Sequence, residues 1–385
     1  MKTGLIINAT LVSPGIEKKD AVIEIQDDTI IAIHDIAPVL PSADWVYDAK
    51  GAFVVPGFID IHTHGALGYD VTDTEEPCAI EKIAQAKLAE GCTQFCPTTL
   101  TLPEDQLAAS LRNVAKYDNR YCKVCGIHLE GPYLNCKCLG AQNPAYVRTP
   151  DIEEVKRLSA ISRVTQVSYA VELDHGVVFG KQLSQQGIVA SCGHSKATYA
   201  QFFQGYQQGL KHLTHFCNQM SPLHHRDIGM VGAGFLLPDV KIEVICDKVH
   251  ICPEMIELVF EKKPIESILL ITDSMRSSHL PDGPSSIGGL DVIVKNGEAR
   301  LASNGALAGS MLRMNVALKN VYEVTERPLC EIIQTTSYNQ AVELGIGDKY
   351  GRVEAGYKAD LTVLDTKTFD VRTVFKDGVN ALCRG

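Results

Sequence analysis

VVPGFIDIHTHG, running from Val54 to Gly65, is the stretch whose reading decides the fold. An apolar run is interrupted by one Pro-Gly turn and ends in His62-Thr63-His64, the pattern of a buried strand that finishes in two imidazoles. Side chains alternate faces along a strand, so His62 and His64 point the same way. Two neutral imidazoles at a strand end, beside the carboxylate of Asp60, form half of a divalent metal site. A lone histidine here would read as a packed core residue; the paired spacing after a strand favours the metal reading.

Outward from this stretch, strand, loop and helix repeat. Strands are expected at 53–61, 93–99, 123–130, 164–172, 188–194, 211–217, 241–247 and 267–273. Helices are expected at 76–90 up to Gly91, at 103–117, at 150–158 behind the cap Thr149, at 196–206 behind the cap Ser195, and at 253–261. Eight repeats predict a (β/α)8 TIM-like barrel, whose chemistry sits at the C-terminal ends of its strands. After the eighth strand, a hairpin is expected around Asn296-Gly297, then helical stretches near 309–325 and 328–343. Residues 1–52 and the C-terminal stretch read as short alternating strands with tight turns at Asp27-Asp28 and Asp377-Gly378. Chain termini tend to lie close together, so 1–52 plus 346–385 is expected to form one small β-sandwich domain, with the barrel spanning 53–345.

The 385 residues, 45% of them hydrophobic, suffice for a large core, and a net charge of −10 argues against nucleic acid or an anionic membrane surface as partner. The N-terminus lacks the pattern of a signal peptide, and no apolar run approaches a membrane span. Thirteen cysteines scattered through strand-like segments suit free thiols in a reducing cytoplasm. Cys122, Cys125, Cys136 and Cys138 come nearest to a cysteine metal motif, but their spacing is wrong for a structural zinc.

Polar residues fall at the expected strand ends again and again: His62 and His64, Glu130 in HLEGPY, His194 in CGHS, His215 in THFCNQM, and Asp273 in ITDSM. His194 or Asp273 taken singly could be a helix cap, and His128 reads as packed or supporting rather than ligating. Hydrophobic patterning alone has no reason to end five strands in four imidazoles and two carboxylates. Zinc or ferrous iron takes this mixture, one or two ions per chain, with a carboxylate able to bridge them.

The succession PGFIDIHTHG, HLEGPYL, GHS, THFCNQM with LHHRDIGMVGAG, CDKVH, ITDSM, NGALAGS and the closing ADLTVLD resembles the N-acetylglucosamine-6-phosphate deacetylases of the amidohydrolase superfamily. The resemblance implies that Glu130, His194 and His215 hold one ion and that His62 and His64 hold a second. It implies Asp273 as general base and then general acid, and His250 as a substrate-binding histidine able to polarise the carbonyl oxygen. It further implies a phosphorylated amino sugar bound by Arg226 and lined by Ala141, Gln142, Asn218, Gln219, Asp247, Leu307, Ala308 and Gly309, in a homodimer. Gln142 stands where many relatives carry His, Lys248 where the family usually has Gly, and Phe216-Cys217 where a Leu-aromatic pair is more typical. The N-acetylgalactosamine 6-phosphate enzyme is the alternative within this chemistry. From another class comes a catalytically inactive barrel acting as a scaffold; such barrels usually lose metal ligands, and all six stand here.

Overall fold

The computed structural model describes residues 2–35 and 41–382. Eight parallel strands follow one another around a barrel: Phe58–Thr63, Cys92–Thr99, Ile127–Glu130, Val164–Tyr169, Val189–Cys192, His212–Leu213, Lys241–Val244 and Ile268–Leu270. Each pairs in parallel with the next, and the ring is drawn together by a parallel bridge from Thr63 to Ser274. Hydrogen bonds from Asp273 N to His62 O (2.9 Å) and from His64 N to Ser274 O (2.8 Å) fasten the last strand to the first where the expected site residues sit.

Strands from both termini make a second sheet. Phe53–Pro56 pairs antiparallel with Leu361–Leu364 and in parallel with Thr10 and Leu11 of the first strand, Thr3–Ser13. Ile6, Leu11, Ile23, Val54, Val363 and Phe375 are buried in its own core, with Trp45 stacked 5.5 Å from Phe375. The architecture is thus a TIM-like barrel with a β-sandwich built from both chain ends. The single strand expected over 53–61 divides at Gly57: Phe53–Pro56 belongs to the terminal sheet and Phe58–Thr63 to the barrel. A Cβ on Gly57 would come within 2.4 Å of Thr93, so this crossing point is packed too closely for a side chain.

Other expectations need correction. The helix expected at 150–158 is Ile152–Ser159, capped by Asp151, not Thr149, through a hydrogen bond to its side chain from Glu153 N. The helix expected behind Ser195 is Tyr199–Tyr206, whose capping box joins Thr198 and Gln201; Ser195 bonds Glu172 instead. The 328–343 segment breaks into Leu329–Ile332, Ile333–Thr336 and Tyr338–Glu343. The break lets Asn339 and Gln340 donate to the carbonyls of Ile268 and Leu270 in the eighth strand. Gly176–Gln185 is a helix for which the sequence carried no clear signal, because two glycines dilute its pattern. A Cβ on Gly180 would lie 2.1 Å from the Tyr169 hydroxyl, so that glycine is what lets the helix approach the barrel. The hairpin expected at Asn296-Gly297 joins Leu290–Lys295 to Glu298–Leu301 and is extended by Gly283–Ile287 into a three-stranded sheet.

Candidate metal centre and active site

The barrel strands deliver their polar ends to one cleft. Glu130 Oε1 lies 3.2 Å from His194 Nε2 and 3.0 Å from His215 Nε2, and the two imidazole nitrogens lie 3.0 Å from each other. Glu130 Oε2 lies 3.2 Å from His64 Nε2, and Asp273 Oδ1 lies 3.3 Å from the same nitrogen and 3.6 Å from His62 Nε2. All six residues are buried. Three groups of donors lie close enough to enclose an ion; two of them, Glu130 with His194 and His215, and His62 with His64 and Asp273, are made of the strand-end residues expected from the sequence, and the third is His62 with His128 and Glu243.

Which nitrogen of each ring faces inward is set by what the other one touches. His194 Nδ1 lies 2.9 Å from the carbonyl of Cys138 and His64 Nδ1 3.2 Å from that of Thr98. His62 Nδ1 lies 2.9 Å from the Glu243 carboxylate. Carbonyls and carboxylates only accept, so each Nδ1 carries a proton and each ring turns Nε2 to the cleft as the atom that takes up an ion or a second proton. Three lone pairs converging on two carboxylates repel unless a cation, or added protons, lies between them. The donor set therefore fits a divalent ion of the borderline kind.

The electrostatics describe the same balance. Burial opposes the charge of Glu130, yet the imidazoles of His62, His194, His215 and His64 hold its carboxyl well below the usual range. Burial likewise opposes ionised Asp273, and His62 and His64 overcome it, keeping the carboxyl below its ordinary value. His62 is pushed up to about 9: burial resists, but Asp273, Glu243 and Glu130 prevail. His128, buried and facing His62, is pushed down to about 3 and stays neutral, in hydrogen-bond contact with Ser168 Oγ at 2.7 Å.

The backbone shows strain at these positions. His194 (φ 47°), His215 (φ 30°) and Asp273 (φ 50°) all lie in the left-handed region. Each costs of order 1–3 kcal/mol in a residue with a side chain, the kind of distortion that persists where it aims a functional group.

The cleft is lined by five of the six donors together with Ala141, Gln142, Asn218, Gln219, His250, Leu307 and Gly309. His250 is oriented by Asp247, which accepts from its backbone N (2.7 Å) and meets Nδ1 at 2.6 Å. Asp247 thus stands behind the cleft wall, and Ala308 is buried in a neighbouring core. Arg226 is exposed, outside the cleft lining, with Nη1 2.7 Å from His225 Nε2.

Gln142 is engaged more closely with Glu130 than its sequence position suggested. Its Oε1 accepts from Thr101 N, which fixes the amide so that Nε2 donates to Glu130 Oε2 at 2.5 Å. One amide hydrogen remains for a ligand. Lys248 pairs with Glu323 at 3.1 Å and lies outside the cleft lining; its φ of 67° accounts for Gly being the easier residue there. Phe216 is a packing residue, 5.3 Å edge-on to Phe235. Among the described residues, no metal-sized group includes a cysteine. Sequence reading missed Glu243, which lies within a strand where its only signal was a charge in an apolar run. It also missed Leu100 and Ile287, apolar walls of the cleft.

A barrel that gathers four imidazoles and two carboxylates at the C-terminal ends of its strands, around a small polar cleft, is the architecture of a metal-assisted hydrolase. The model of the amidohydrolase family matches residues 53–381, and the chain belongs to that family. It is similar to the N-acetylglucosamine-6-phosphate deacetylase of Lysinibacillus sphaericus, 36% identical over 323 residues that cover 83% of each chain. The N-acetylgalactosamine-6-phosphate deacetylase of Escherichia coli O157:H7 is 35% identical over 88% of this chain and 91% of its own. Among solved structures, an aspartate-to-alanine mutant of the Mycobacterium smegmatis N-acetyl-D-glucosamine-6-phosphate deacetylase, in complex with N-acetyl-D-glucosamine-6-phosphate, superposes with a TM-score of 0.91. That structure is 29% identical and covers 99% of this chain and 100% of its own.

Proposed function

We propose that this enzyme removes the acetyl group of N-acetylglucosamine 6-phosphate, yielding glucosamine 6-phosphate and acetate. The observation that carries the reading is that likeness to deacetylases extends over the chain while the donors such chemistry needs meet at one cleft. Glu130, His194 and His215 would hold one ion, and His62 and His64 with Asp273 a second, zinc or ferrous iron suiting the nitrogen and oxygen donors. When bound, such an ion supplies Lewis acidity that brings the pKa of water towards neutrality.

The chain's own groups do the rest. Asp273 is ionised in the neutral range and accepts the proton of the attacking water as the new carbon–oxygen bond forms. It then returns the proton to the amide nitrogen as the carbon–nitrogen bond breaks. His250, steadied by Asp247, hydrogen-bonds the substrate and stabilises charge on the carbonyl oxygen. Ala141, Gln142, Asn218, Gln219, Leu307, Ala308 and Gly309 form the sugar site.

The phosphate falls to Arg226, a planar donor fork suited to it, in a homodimer whose partner completes the pocket. Arg226→Ala is expected to raise KM for the phosphorylated sugar about ten-fold or more with kcat little changed. An unchanged KM in steady-state assays moves the phosphate site elsewhere. Among the described residues no helix is long and apolar enough to cross a membrane. The enzyme is placed in the cytoplasm, a reducing compartment that the free thiols of its described cysteines suit.

The galactosamine epimer is the second reading, favoured by the 35% identical relative named for it. Comparing kcat/KM for the two epimers decides: a preference for the gluco form supports the glucosamine reading, and a preference for the galacto form replaces it.

A further inference from the structure

We propose that Glu343, His212 and Glu243 form a positioning chain that runs through the barrel interior and sets the orientation of His62. Two hydrogen-bond contacts and, between them, one ion-pair contact make up the chain. Glu343 Oε1 lies 3.2 Å from His212 Nδ1, His212 Nε2 lies 3.3 Å from Glu243 Oε1, and Glu243 Oε2 lies 2.9 Å from His62 Nδ1. Its far end opens on a surface cleft lined by Val189, the first residue of its strand, and Lys211, just before the strand His212–Leu213, on the face of the barrel opposite the active site. Its near end is a donor of the metal centre.

The chemistry of each member accounts for the next. A carboxylate against His62 Nδ1 keeps the proton there and the Nε2 lone pair in the cleft. Glu243 also accepts from His215 N at 3.2 Å and from Gln166 Nε2 at 2.5 Å, so one buried side chain reaches residues of both strand-end donor groups. A fully buried carboxylate keeps its charge only if that charge is compensated. His212, fully buried between two carboxylates, is in hydrogen-bond contact with Glu343 through Nδ1 and meets Glu243 as an ion-pair contact outside hydrogen-bond geometry, so a positive charge on its ring compensates both. It is pushed up to about 9, burial resisting and Glu243 and Glu343 prevailing. Glu343, at the rim with its side chain 19% exposed, anchors the outer end.

The inference rests on the metal reading of the centre and not on the identity of the sugar, so its test reads metal binding alone. The protein is loaded with Co2+, and the affinity and visible absorption of the ion are measured beside the melting temperature. Glu243→Gln is expected to weaken Co2+ binding about 10–100-fold. His212→Gln should weaken it about ten-fold, and Glu343→Gln about three-fold, each with a shifted absorption band. Glu343→Asp, which keeps the carboxylate, should restore much of the native affinity. Native affinity and spectrum in both His212→Gln and Glu343→Gln would overturn the proposal, whatever their melting temperatures. If His212→Gln does not fold, the rim variant Glu343→Gln decides alone. Failure of the native protein to bind Co2+ would instead count against the metal reading itself.

Discussion

Asp273→Asn is expected to lower kcat for acetate release by about 10²–10⁴-fold, the range associated with loss of a general acid–base group. The asparagine keeps the size and hydrogen-bonding reach of the side chain but accepts no proton. Backbone fastening supports this: Asp273 N bonds His62 O and Ser310 N bonds Asp273 O, so the altered side chain stays where the native one was. The ion held by Glu130, His194 and His215 should remain, because Asp273 is not in that group. Turnover within a few-fold of native would remove Asp273 from the proton transfers. Metal analysis of the same preparation separates loss of chemistry from loss of the ion.

Glu130→Gln should act earlier, on the centre itself. Glu130 Oε1 approaches three imidazoles and Oε2 a fourth. Removing its charge leaves nitrogens 3.0 Å apart with little to hold them together. Binding of the ion should weaken by more than the about 10–100-fold typical of losing an outer-shell partner, and acetate release should fall to background. The fold is expected to survive, since the barrel core does not depend on Glu130. A Glu130→Gln protein that retained both native metal content and native turnover would exclude Glu130 as the central ligand.

Much of this was legible in the chain because the barrel writes its chemistry at regular intervals. His62 and His64, Glu130, His194, His215 and Asp273 each follow an apolar run, and the structure brings all six within close polar contact of a neighbour in the set. What escaped notice has physical reasons. The terminal sheet borrows Phe53–Pro56 without any change of composition, so the boundary at Gly57 depends on a close approach to Thr93 that only three dimensions reveal. Glycines needed for packing disguised the helix Gly176–Gln185. Thr149 and Ser195 are good cap residues in the abstract, but Asp151 and Thr198 lie nearer the first free backbone N–H groups. Gln142 and Glu243 act on side chains 12 and 181 positions away in the chain, at Glu130 and His62, and no local pattern marks partners so distant.

The measurement that bears most directly on the central claim is acetate release from N-acetylglucosamine 6-phosphate by freshly purified protein, with and without chelator, beside elemental analysis of the same sample. One to two divalent ions per chain, with acetate release that the chelator abolishes and added Zn2+ or Fe2+ restores, is the predicted result. Acetate release that persists after the ions have been stripped, or a fully loaded protein that leaves the sugar phosphate intact, would contradict it.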